Sequence, residues 1–174
     1  MLALEAYIAN LETYYEDHEL IGEWVTFPID EDKSAELLKR IGVVDENGEI
    51  CGSYFIADYN CDFDAEELIG KFVSIDYLND VAYFIDEWNE ISFLAVCEYA
   101  IEVGESMNDL LSTKPDSWVV ISGINCEQEL GEFYLKGDLI PDYLMDYFDC
   151  ERYGKDINLE YDGAFTSYGW VYRF

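Results

Sequence analysis

The sequence predicts an α+β fold made of three small domains in series, and three observations lead there. Strand-like alternation dominates the first sixty residues. Between residues 64 and 105 the hydrophobic period switches from two to about 3.6. The last third mixes short strand and helix signals and closes on a glycine-punctuated aromatic tail. The domains expected are 1–61, a small antiparallel sheet with one helix; 62–104, a helical domain; and 105–174, a mixed α/β domain.

Each element has a local reason. Leu2, Leu4, Ala6 and Ile8 alternate as on a half-buried strand, and Ile21 to Phe27 alternate in the same way around Trp24 and Val25. Asp30 to Asp32 supply helix-start signals before Ala35, Leu37, Leu38 and Ile41, and Gly42 is placed to end that helix. Asn47-Gly48 is a strong hairpin turn leading into the β-rich run Ser53–Tyr59. Ile75, Leu78, Val81, Ala82, Ile85 and Trp88 then occupy one half of a helical wheel. A second helix is expected over Ile91–Val103. Trp118–Ile121 reads as a short strand, Glu127–Lys136 as a helix, and Pro141 as a helix start before Tyr143, Leu144 and Tyr147. Gly163 and Gly169 mark a hairpin in the tail Phe165–Phe174.

Composition excludes whole classes. The 174 residues carry 39 acids against 9 bases, for a net charge of −30, yet 51% are hydrophobic and 17% aromatic. An acidic disordered tail lacks such residues, so the chain folds. With so few cations, it has no basic surface with which to displace the counterions of nucleic acid. No apolar run approaches the ~18 residues of a membrane span, and anionic lipid repels an anionic surface. The N-terminus shows no basic n-region of a signal peptide. Cys51, Cys61, Cys97, Cys126 and Cys150 are scattered, with no C-x-x-C pair, which argues against a disulfide framework or zinc ribbon and for a reducing cytoplasm.

The charge is spread evenly. Residues 1–61 hold 14 acids and 3 bases, 62–104 hold 11 and 1, and 105–174 hold 14 and 5. Helical spacing gathers some of these acids on single faces. Asp76, Asp80 and Glu87 lie opposite the apolar half of their wheel. Glu98, Glu102 and Glu105 stand at i, i+4 and i+7, and Asp142, Asp146 and Asp149 repeat that spacing. Like charges at i, i+4 cost roughly 0.2–0.5 kcal/mol per pair, and few lysines are interleaved to offset them. With Asp62, Asp64 and Glu66, these residues are the candidate partner-binding carboxylates; the plainer account is a set of solvated faces. Duplex DNA carries one charge per roughly 1.7 Å, so 30 charges match about 50 Å, or about 15 base pairs. Carboxylates laid along such a length would let the protein occupy a DNA-binding groove in another protein.

Catalytic and metal signals are poor. His18 is the single histidine and sits in the polar loop Glu16–Glu19, away from any nucleophile signature. It leaves zinc short of ligands. Asp58, Asn60, Asp62 and Asp64 imitate a calcium loop, but Phe63 and Ile69 stand where Gly and Glu are required. No phosphate-cradling glycine motif occurs, and paired carboxylates carry no information among so many acids. No cofactor and no enzymatic activity are expected.

Several strings resemble a known family. Tyr7-Ile8-Ala9-Asn10-Leu11, the following Tyr14-Tyr15, Leu20-Ile21-Gly22-Glu23-Trp24 and Pro28 resemble the N-terminal signature of ArdA-type antirestriction proteins. Tyr54–Tyr59 and Ile75–Asn79 fit the same family. Tyr147–Asp156 looks like its Tyr-Phe-Asp-Tyr-Glu-x-Phe-Gly-Arg-Asp segment, with Cys150 for an aromatic and Lys155 for an arginine. The resemblance implies an elongated, three-domain homodimer that mimics bent B-form DNA. It also implies an origin on mobile elements and inhibition of type I restriction-modification enzymes by filling the groove of their methyltransferase and specificity core. It carries over no catalytic residues. Other readings remain open from composition: an acidic chaperone or sequestering protein for basic nucleoid proteins, a two-carboxylate enzyme with an aromatic cleft, and adaptation to high salt.

Overall fold

The structure, a computed structural model, describes residues 2–137, 141, 143 and 147–174. It is α+β and holds two small antiparallel sheets. The chain forms two compact units, Met1–Trp88 with Ser106–Leu111, and Asn89–Glu105 with Ser112–Phe174.

The first unit is built on the sheet β2-β1-β3, from β1 (Leu4–Asn10), β2 (Gly22–Phe27) and β3 (Tyr54–Asn60). The alternation seen in the sequence puts Leu4, Ala6 and Ile8 of the central strand in the core, where they are essentially solvent-free. The register of β1 on β3 shifts between Tyr7 and Ile8. Asn10 ends β1 and caps α1 (Leu11–Glu16) by accepting from the Thr13 N–H, while its own amide donates to the Ile41 carbonyl. Buried polar groups need such partners, and Asn10 ties the end of the strand to the end of α2 (Glu31–Arg40). The Asp30 side chain caps α2, and Gly42 follows its end at φ 76°, a left-handed conformation that glycine adopts without strain.

The expected hairpin at Asn47-Gly48 is smaller than the sequence suggests. The turn closes a single bridge between Val44 and Ile50, and β3 pairs instead with β1. Sequence-distant pairing of this kind leaves no local signal. Past β3 come α3 (Ala65–Leu68), α4 (Ile75–Asp86) and, after an excursion into the second unit, α6 (Met107–Leu111). The apolar residues of α4 are buried as its period requires. The Asn79 side chain clamps the loop before α2, accepting from the Ile29 N–H at 2.8 Å and donating to the Ile29 carbonyl at 2.9 Å.

The second unit carries the sheet β4-β6-β5, from β4 (Trp118–Ile121), β5 (Ala164–Thr166) and β6 (Gly169–Arg173), so the expected aromatic hairpin is present. Helix α5 (Glu90–Val103) packs on this sheet, and α7 (Glu127–Gly137) pairs with α8 (Cys150–Tyr161). Strand alternation divides β6 between them. Trp170 and Tyr172 meet Leu130 of α7 and Ile157 of α8, while Arg173 reaches Glu105, just past the end of α5. Gly131 and Gly154 allow α7 and α8 to touch: a Cβ on either would strike the other helix's backbone at Cys150 or Glu127. Helix α8 is not foreseen in the sequence. The helix expected after Pro141 falls largely on residues 142 and 144–146, outside the described residues.

Candidate carboxylate interface

In the first unit, the expected acidic face of α4 is present. Burial of Ile75, Leu78, Val81 and Ile85 forces Asp76, Asp80 and Glu87 to the solvent side. Their carboxylates make no hydrogen bond or ion pair among the described residues. Asp76 sits in the first turn, where the helix dipole favours an anion, but Asp86 and Glu87 crowd the C-terminal end, and its last turn has no cation. That end is electrostatically unfavourable for the helix itself.

Helix α2 lies beside α4 and contributes acids that sequence reasoning assigned only to helix initiation. Between the two helices runs a groove of about 540 Å³. Asp30 and Glu31 from α2, and Asp76 and Asp80 from α4, stand on its walls; Ile29, Ala35 and Leu38 supply apolar surface, and Tyr83 lines it with 60% of its surface exposed. Asp30 is partly committed, because it accepts from the Lys33 N–H and lies 3.3 Å from the Lys33 ammonium.

The row on α5 meets a different fate. Glu98 Oε2 accepts from the Ser167 N–H at 2.6 Å, at the turn between β5 and β6. Glu105 holds Arg173 through both carboxylate oxygens, at 3.0 and 3.3 Å, and the Arg173 guanidinium also lies 5.2 Å over the Trp118 ring. Only Glu102, exposed between them, makes no hydrogen bond or ion pair among the described residues. Only Glu98 and Glu102 share a face of the helix, because α5 ends at Val103 and the left-handed Gly104 turns Glu105 off it; Glu98 and Glu105 both hold the C-terminal hairpin.

The other candidates are scattered. Asp62 is exposed just past β3; Asp64 caps α3 by accepting from the Glu67 N–H; Glu66 pairs with Lys71 at 2.9 Å. Asp149 caps α8, accepting from the Arg152 N–H. Asp142 and Asp146 lie outside the described residues.

Several acids of the first unit hold the chain together. The Thr26 hydroxyl and the Asn60 amide hold the Glu5 carboxyl below its ordinary range, and the backbone and hydroxyl of Ser53 do the same for Glu12. Arg40 depresses Glu23 through two-pronged hydrogen bonds, and the Glu49 N–H, followed by that of Asn47, depresses Asp45. These acids look like surface charges in the sequence; their partners lie up to 55 residues away.

His18 stands in an exposed loop, as expected. Among the described residues no group of three or more His, Cys, Asp or Glu is arranged to hold a metal ion, and no helix is long and apolar enough to cross a membrane. Residues 6–172, nearly the whole chain, match the family described as antirestriction protein (ArdA). No curated protein matches the chain.

Proposed function

The chain belongs to the antirestriction protein (ArdA) family, and from that premise we propose that it inhibits type I restriction-modification enzymes by presenting carboxylates where their methyltransferase and specificity core expects DNA phosphates. The observation that carries this reading is the unpaired acidic face of α4 facing the acids of α2. Asp80 and Glu87 on this face repel their neighbours and gain nothing from the helix dipole, so the helix itself gives no reason for them. Both units share the anionic character: the first holds 23 acids and 4 bases, the second 16 and 5.

The mechanism is occupancy rather than chemistry. Lysines and arginines that grip a duplex are attracted over a Debye length of about 10 Å at 0.1 M salt, and each exposed contact adds only about 0.2–1 kcal/mol. Affinity is the sum of many such contacts. Asp62, Asp76, Asp80, Glu87 and Glu102 are the proposed contacts, joined by Glu31 and, through the oxygens their partners leave free, by Asp64, Glu66 and Asp149. Asp142 and Asp146 stay in the proposal on their spacing alone. Glu98 and Glu105 serve it by holding the second unit's hairpin in place.

The organisation the proposal includes is three segments at 1–61, 62–104 and 105–174, an extended track of acids, and a cytoplasmic homodimer. Limited proteolysis, small-angle scattering and sedimentation test those parts in turn. The decisive experiment is displacement of a labelled cognate duplex from a purified type I methyltransferase core at 0.1 M salt. Competition that is stoichiometric and loses strength with salt supports the reading, whereas undisturbed duplex overturns it. A pull-down dominated by abundant basic nucleoid proteins would favour the acidic-chaperone reading instead.

A further inference from the structure

We propose that the α2–α4 groove is a pocket for a single arginine side chain of the partner, and so an anchor within an otherwise diffuse electrostatic surface. The inference rests on the reading above and deepens it by naming what this part of the surface accepts. A smooth array of carboxylates would need no concavity, yet the groove is about 540 Å³ and combines three kinds of surface. Ile29, Ala35 and Leu38 offer apolar contact of the sort an arginine's methylene stem covers while its head stays polar. Asp76 and Asp80, one helical turn apart, place their Cβ atoms about 5–6 Å from each other on one wall, a spacing that a planar five-donor fork can bridge. Tyr83 sits one turn further along, exposed and not buried against the core, where a guanidinium can stack on its face.

Charge complementarity excludes an anionic occupant, and the mixed lining separates arginine from lysine. Lysine gains the Coulomb attraction but is a compact, strongly hydrated point charge with no plane to stack. The groove is also held in shape before binding, because the two Asn79–Ile29 hydrogen bonds fix the start of α2 against α4. A preformed pocket spares the ordering cost that loose surface side chains incur.

Two arms test the proposal. In the first, the full chain is titrated with the equally charged peptides acetyl-Arg-Arg-Arg-amide and acetyl-Lys-Lys-Lys-amide, and the Tyr83 ring resonances are followed by NMR. The arginine peptide is expected to move them and to bind about threefold or more tighter than the lysine peptide. That preference is expected to vanish in Tyr83→Ala and to persist in Tyr83→Phe. In the second arm, displacement of duplex from the methyltransferase core is measured at 0.3 M salt, where diffuse attraction is screened. Tyr83→Ala is expected to compete about tenfold less well than the unaltered chain, and Tyr83→Phe to compete normally. An unmoved Tyr83 ring, or equal affinity for the two peptides, overturns the pocket whatever the partner is. Wild-type competition with an unchanged Tyr83→Ala overturns the pocket and leaves the inhibitory reading standing. Failure of the unaltered chain to displace duplex overturns that reading, while the peptide arm decides the pocket by itself.

Discussion

Helices α4 and α5 each carry a pair of acids one turn apart and a third further along the chain, and the two sets do opposite things. Asp76, Asp80 and Glu87 on α4 face solvent without partners among the described residues. Glu98 on α5 is held by the Ser167 amide and Glu105, just past the helix end, by Arg173, while Glu102 makes no hydrogen bond or ion pair among the described residues. The spacing sets which acids share a face; what that face meets is set by the rest of the unit. Helix α5 lies on the sheet β4-β6-β5, so Glu98 reaches the hairpin, whereas Asp76 and Asp80 of α4 line the groove shared with α2. A row of acids in a sequence is therefore a statement about geometry before it is one about binding.

Salt should separate the two rows most strongly. Raising it from 0.05 to 0.2 M is expected to weaken displacement of duplex from the methyltransferase core by more than tenfold, because partner contacts on the open row are long-range and exposed. The melting temperature should move little over the same range, since Glu98 is held by a short hydrogen bond and Glu105 by a two-pronged contact. Inhibition that ignores salt would break the assignment of α4 to the partner.

Neutralising the rows sharpens the contrast. Asp76→Asn with Asp80→Asn and Glu87→Gln should weaken inhibition about tenfold, as three contacts of about 0.2–1 kcal/mol each require, and leave stability unchanged or slightly raised as like-charge repulsion is relieved. Asp80→Asn alone should cost less than about fivefold. Glu98→Ala with Glu105→Ala should do the reverse. Loss of two charge-assisted contacts on partly buried groups is worth about 1–2 kcal/mol, or about 3–6 °C in melting temperature at this chain length. Glu102→Gln is the internal control and should not change the melting temperature.

Much of this was legible in the sequence, and the failures share a cause. Strand alternation in Leu2–Ile8, the apolar wheel of Ile75–Trp88 and the glycine-bounded aromatic hairpin are local patterns, and each appears in the structure. What was missed depends on distant partners. The hairpin expected at Asn47-Gly48 shrinks to the single bridge Val44–Ile50, and β3 pairs with β1. Helix α8 owes its place to Gly154 fitting against α7, a contact that makes a helix-weakening residue useful where it stands. Nothing near Glu98 and Glu105 in the chain announces that they meet Ser167 and Arg173, more than sixty residues away. Asp30 and Glu31 were visible only as a helix start, because nothing in their own stretch announces α4 beside them.

The smallest expected effect tests the same division of labour by pH. Glu12 is held below its ordinary range by the Ser53 backbone N–H and then by the Ser53 hydroxyl. A carboxylate depressed in the folded state contributes stability above its unfolded value, near ~4.3, and loses it as pH falls through the lower folded value. Glu12→Gln should therefore be less stable than the unaltered chain at pH 6, and the gap should narrow toward pH 3 as the Glu12 carboxyl takes up its proton. Asp80→Asn should show the opposite sign, neutral to slightly stabilising at pH 6, because the charge it removes holds nothing together. Urea titrations at pH 6 and pH 3, on either side of the isoelectric point near 4.1, measure both gaps. Two acids in one unit whose removal shifts stability in opposite directions would separate those that bind the chain from those free to bind another protein; gaps of the same sign would dissolve the distinction.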